Sequence, residues 1–168
     1  MKELGTLYWN SPNTGATNTS KFNARGAGSR ASSTGVFANI NNSMVIWSST
    51  QVSATGSFMF TLVNTAASFA GGSVATSKTV GNTLRPIKTT TTLTHGQTGT
   101  YTGNDGKVYR TICIGTQEWL ADNLCETKYR NGDTIPEVTN NAAWAAAGHL
   151  LRRARPRPDN DEKNGLRS

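Results

Sequence analysis

This sequence is poor in charge, in apolar residues and in reactive side chains, and each shortage removes a class of protein. Of its 168 residues, 35 % are hydrophobic and 16 % are charged. An apolar share well under the roughly 45–50 % of ordinary soluble domains leaves a small core beneath long loops, and a chain of this length holds one such core. Low charge with abundant Thr, Asn, Ser, Gly and Ala differs from the high-net-charge signature of disorder and suits an extracellular β protein. No apolar run reaches the ~18 residues that span a bilayer, so membrane insertion is not expected. The start, Met1-Lys2-Glu3-Leu4-Gly5, has no apolar signal core. A secreted product then needs a leader upstream or another route, such as assembly on a phage particle.

Chemistry is equally scarce. His95 and His149 are the only histidines, there is no Gly-rich phosphate loop, and no ligand cluster has metal-binding spacing. His95, alone in a Thr/Gly-rich stretch, reads as solvated. Glu118, Asp122 and Glu126 share a face only if their segment is helical, and a solvated face explains them better than tuned acidities. Asn104-Asp105 and Asp159-Asn160-Asp161-Glu162 read as a turn and a tail, whereas a hard cation needs six or more converging oxygens. No catalytic residue, metal site or cofactor is expected, and the chain is read as a non-enzyme. Cys113 and Cys125 either close one disulfide, if their Cα atoms come within about 7 Å, or remain free thiols, with Cys113 acting as a small hydrophobe.

The formal charge of +7 is uneven: residues 150–168 hold 6 Lys/Arg against 3 Asp/Glu, which supplies +3 of it. The arginines between Leu150 and Pro158 suit phosphate contact. Prolines and the lack of aromatics there favour a solvated, disordered end, so 148–168 is read as a basic tail and nucleic acid is not expected as a partner.

Short apolar runs alternate with turn clusters over 1–88. Val45-Ile46-Trp47, Phe58 to Val63 and Thr83 to Ile87 are its strand candidates, and no amphipathic helix is evident. A Thr/Gly-rich stretch, 89–100, is expected to be an extended linker or exposed edge between modules. Beyond it Asn104-Asp105-Gly106 predicts a type I′ hairpin turn. The following strand, Val108 to Ile114, carries apolar groups on both faces and should be central. A bend at Trp119 to Leu124, a turn at Asn131-Gly132-Asp133 and a short helix after Asn140 or Asn141 as N-cap complete the pattern.

The run Asp105-Gly106-Lys107-Val108-Tyr109, Thr111, Ile114-Gly115, Gln117, Trp119-Leu120-Ala121 and Asn123-Leu124 resembles the opening of the Fibrobacter succinogenes major paralogous domain family. Thr127, Tyr129, Asn131-Gly132 and Ile135-Pro136 continue the resemblance. Gly5, Trp9-Asn10-Ser11-Pro12-Asn13, Gly15, Asn18, Ser20, Phe22, Ala24, Arg30, Gly35, Phe37, Asn39-Ile40 and Trp47-Ser48-Ser49-Thr50 resemble its second half. The closing half therefore precedes the opening half: 1–88 is the C-terminal half of one module and 101–147 the N-terminal half of a following one. Lys21 stands where the family has Gly, and Thr83-Leu84-Arg85-Pro86 stands for its closing Ser-Val-Arg-Cys. Pro86 cannot donate to a ladder, which makes that strand an edge. The family's middle is missing.

The resemblance implies an α+β, mostly β, C-type-lectin-like fold with an irregular loop region used for binding, on bacterial surfaces or phage tails, in some cases a target of diversity-generating retroelements. It places Gln51, Ser53, Thr55, Ser57, Phe58, Phe60, Asn64, Thr65, Ser68 and Phe69 on a variable ligand-facing surface. Aromatics there offer contact area and Ser/Asn/Thr offer hydrogen bonds, while Phe58, Phe60 and Phe69 have a core reading as well. Trp9, Trp47 and Trp119 are expected to pack, with sugar stacking as the alternative for Trp47. Neither Glu-Pro-Asn nor Gln-Pro-Asp nor Trp-Asn-Asp, the calcium-dependent sugar signature, occurs. The expected function is binding of a protein or glycan ligand at a cell surface or virion. The alternative is a repeat unit of a phage fibre or surface array, a homo-oligomer whose halves complement between neighbouring chains.

Overall fold

The computed structural model describes residues 1–147; the basic tail, His149 and Asp159-Asn160-Asp161-Glu162 lie outside the described residues. The fold is mostly β, 35 % strand against 4 % helix, in several antiparallel sheets. Two short strands, β1 (Ser29–Arg30) and β2 (Phe37–Ala38), form a ribbon. A meander of β3 (Ser43–Gln51), β4 (Gly56–Val63) and β5 (Ala70–Ser77) makes the second sheet. The third holds β6 (Ile87–Lys88), β7 (Thr98–Thr102), β8 (Val108–Ile114) and β9 (Gln117–Leu120) in the order β6-β9-β8-β7. One helix, α1 (Asn141–Ala146), follows; Asn140 caps it by accepting the Ala143 N–H at 2.9 Å. Among the described residues no helix is long and apolar enough to cross a membrane.

The two blocks share the third sheet. Ile87 and Lys88 of the first pair with Trp119 and Glu118 of the second, so the last strand of the first block joins the sheet of the second within one chain. Packing follows the pairing: Trp119 leans edge-on against Phe22 at 5.7 Å and joins the cluster of Tyr8, Trp9, Phe22, Ala24, Met44, Ile46 and Leu62. Trp9 is fully buried and donates its indole Nε1–H to the Ala24 carbonyl at 2.8 Å, so its one polar side-chain atom is satisfied.

Residues 89–97 consequently do not separate two modules. They cross from one edge of the sheet to the other, because β6 and β7 flank the central pair. Thr91 donates its hydroxyl to Glu118 at 2.7 Å, Cys113 donates its backbone N–H to Gln97, and His95 Nδ1 accepts the Gly115 N–H at 2.9 Å. His95 is exposed, as a solvated ring should be, and its Nδ1 also anchors the loop end. The rest of the stretch is β7, an exposed edge as its Thr content allows. Central placement of β8 matches the sequence reading; of the strand expected over Thr83 to Ile87 only Ile87 lies in one, the edge strand β6, while Thr83 forms a single bridge to Ile46.

Local corrections have local causes. In the 103–107 turn Gly106 N–H reaches Gly103 O, and Gly106 alone has positive φ, 86°. That is a longer hairpin loop with one left-handed residue, whereas a type I′ turn needs two. Trp119-Leu120 lies in β9, not in a bend. Cys113 and Cys125 do not form a disulfide with each other, and Cys113 is buried.

Candidate functional site

The ten residues expected at a ligand surface fall in three groups. Gln51, Ser53 and Thr55 are exposed around the β3–β4 turn. Thr65 and Ser68 are exposed around the β4–β5 turn, at the other end of the meander, about 25 Å away for eight residues at ~3.4 Å each. Between them Phe60, 41 % exposed, meets Phe69, 36 % exposed, edge-on at 6.3 Å, while Phe58 is half-buried. Direct pairing of Phe60 with Ile46 and of Leu62 with Met44 puts Phe60 on the core-facing side of the sheet, just beyond where the core ends.

Two of the ten belong to the scaffold. Between the Trp47–Met59 and Gln51–Ser57 pairs, Ser48-Ser49-Thr50 faces Phe58 alone, a bulge that leaves carbonyls without ladder partners. Ser57 is 7 % exposed and its hydroxyl serves the Ser48 and Thr50 carbonyls at 3.1 and 2.8 Å, so it does not face a ligand. Asn64 is half-buried and its amide donates to Asn10 O and Ser11 O, while its carbonyl accepts the Thr14 N–H. Buried Lys2 closes the same turn by donating to Val63 O and Ala66 O, each at 2.8 Å. No spacing in the sequence marks Ser57 or Asn64 apart from their exposed neighbours, since the acceptors lie across strands.

Sequence reasoning missed two rim residues. Lys78 donates to Gln51 Oε1 at 2.9 Å and to Ala54 O at 3.1 Å, and Val52 is 45 % exposed beside it. The turn itself closes through backbone bonds, with Val52 and Ser53 N–H both reaching Gly56 O. The side chains of Ser53 and Thr55 make no hydrogen bond among the described residues. Trp47 is half-buried.

The second block's carboxylates are structural. Burial pushes the Asp105 carboxyl up, but bonds from the Lys107 and Thr127 backbones and the Thr127 hydroxyl outweigh it and hold the pKa below the ordinary value. Hydroxyls of Thr111 and Thr91 hold Glu118 low. Asp122 is opposed by burial yet held low by Arg110. A carboxylate depressed in the folded state stabilises the fold above its unfolded pKa and loses that contribution as pH falls through the folded one. The urea midpoint is therefore expected to be flat from neutral pH to about pH 5 and to fall steadily below about pH 4. A midpoint unchanged between pH 7 and pH 3 contradicts this. Among the described residues no group of three or more His, Cys, Asp or Glu is placed to hold a metal.

No family model, curated protein or solved structure matches this chain.

Proposed function

We propose that this chain is a non-enzymatic, outward-displayed binding module of the C-type-lectin-like kind, related to the Fibrobacter succinogenes major paralogous domain, with its closing half ahead of its opening half. The motif run from Asp105 to Pro136 and the pairing of β6 with β9 support that relation. Its ligand is a protein or a glycan met at a cell surface or virion, and the contact surface is the β3–β4 rim with Phe60 and Phe69.

One observation carries the reading: the rim turn is fixed by backbone bonds and by Ser57, while Ser53 and Thr55 side chains are left unengaged. A scaffold that fixes loop ends but not loop side chains tolerates variation where contact is made. The pairing of β6 with β9 within one chain supports this reading over an array of complementing neighbours.

A display library randomised at the rim residues Gln51, Ser53 and Thr55 tests it. Single changes at Ser53, Thr55, Thr65 and Ser68 are expected to stay within about ±0.5 kcal/mol of the parent. Ser57→Ala, which strands two carbonyls, is expected to lose about 1–2 kcal/mol. Clones binding members of a protein and glycan panel should be recovered with their substitutions confined to the rim. A library that unfolds as readily at the rim as at Ser57, or that yields no binder, rejects the proposal.

A further inference from the structure

The edges of the two larger sheets are not protected alike. β6 is two residues long, follows Pro86 and carries Lys88. The free side of β3 is bridged by Gly28 and Thr83, and β5 is interrupted by a register shift. Short length, Pro, Lys, bridging segments and bulges all blunt an edge. β7, Thr98-Gly99-Thr100-Tyr101-Thr102, has none of them: it is regular, uncharged and exposed at every residue but half-buried Gly99.

Its pairing shows which backbone groups are spare. Cys113 N–H reaches Gln97 O and Gly103 N–H reaches Lys107 O, so the hydrogen-bonded pairs along β7–β8 are the odd-numbered β7 residues, Gly99 and Tyr101. Thr98, Thr100 and Thr102 then point their N–H and C=O outward, and they have no backbone partner among the described residues.

We propose that β7 is a self-association edge, on which a second copy of this chain pairs its own β7 antiparallel about a two-fold axis at Thr100. The strand is self-complementary in that register. Thr100 opposes the partner's Thr100 and Thr98 opposes the partner's Thr102, so all three outward residues exchange both of their bonds. Thr–Thr neighbours are favourable cross-strand pairs, and no like charges meet. On the opposite face Tyr101, 43 % exposed, falls across from the partner's Gly99, which has no side chain to clash. Half-buried Leu93 together with Thr111 and Glu118 forms the floor the ring meets: a Cβ added at Gly99 would lie 3.0 Å from Leu93 Cδ1, 3.0 Å from Thr111 Oγ1 and 3.4 Å from Glu118 Oε1. The product is one continuous sheet running β6-β9-β8-β7 through the axis and back in reverse. This inference is independent of the rim, which lies on the other large sheet.

An interface of one short strand per copy belongs to the weak class, under about 1,200 Å², so mass is followed by light scattering or sedimentation from ~10 µM to ~1 mM. The purified chain is expected to pass from single to doubled mass over that range. Thr100→Pro removes an outward donor without touching the β8 ladder and should hold the mass at one chain. Thr100→Lys and Thr100→Glu place like charges on the axis and should each stay single, while their equimolar mixture regains the doubled mass. The Lys/Glu pair carries the test if the proline variant does not fold by circular dichroism. A parent that stays single to ~1 mM, or a doubled mass that survives Thr100→Lys alone, overturns the proposal.

Discussion

Arg85→Met is expected to lower the stability of the chain by about 3–5 kcal/mol, a large part of the roughly 5–15 kcal/mol available to a domain. Arg85 is 5 % exposed and stands between the two blocks. It donates to the Phe22 and Asn23 carbonyls on one side, and to the Leu120 carbonyl and the Asn123 side chain on the other, with its guanidinium 4.5 Å from the Phe22 ring centre. Burial lowers its pKa to about 9, and Asp122 counteracts this, so the group is still charged at neutral pH. Methionine fills most of the volume, which isolates the hydrogen-bond loss from a cavity effect. Each carbonyl left unpaired in the interior costs about 1–3 kcal/mol. Arg85→Lys should fall between, because an ammonium cannot reproduce the planar fork that reaches several acceptors. The measurement is the urea midpoint with its slope. A loss under about 1 kcal/mol for Arg85→Met would mean that the joint does not depend on this clasp.

The parts of the fold that the sequence made legible are those set by neighbours along the chain. Alternation over Val108 to Ile114 marks a strand with two covered faces, Pro86 marks an edge, and Asn140 marks a helix start by accepting the backbone N–H three residues on. What stayed hidden depends on distant partners. No local spacing marks Arg85 and Arg30 as buried clasps, because their acceptors lie up to 63 and 111 residues away in sequence. The Thr-rich stretch after Lys88 reads as a linker or an exposed edge by composition; composition does not choose between them, and Gln97 to Thr102 take the edge by finding a ladder in β8. At the rim, Gln51, Ser53 and Thr55 are exposed as anticipated, but Ser57 and Asn64 are equally polar and belong to the scaffold. Polarity alone does not tell a side chain that meets solvent from one that caps a bulge.

Arg30→Ala is expected to cost about 3–4 kcal/mol and to release the segment from Val138 to Ala146. Arg30 is 1 % exposed, and its guanidinium donates to the carbonyls of Gly35, Val138 and Thr139 while lying 4.2 Å from the Trp144 ring centre. Six residues are too few for a helix to persist alone, where about 12–15 are marginal, so α1 depends on this docking. The approach is close: Gly35, at φ 68°, would place a Cβ 2.4 Å from Asn141 O, and Gly81 would place one 2.9 Å from the Trp144 ring. Without Arg30 the ring loses its cation and the Val138 and Thr139 carbonyls lose their donor together. Amide exchange of Ala143 to Ala147 should therefore quicken to near unprotected rates while that of Met44 to Ile46 slows or holds relative to them. Because both residues serve one contact, Arg30→Ala and Trp144→Ala should be non-additive by about 1–2 kcal/mol in a double-mutant cycle. Strict additivity, or protection of α1 that survives Arg30→Ala, would show that the helix is held by something other than this clasp.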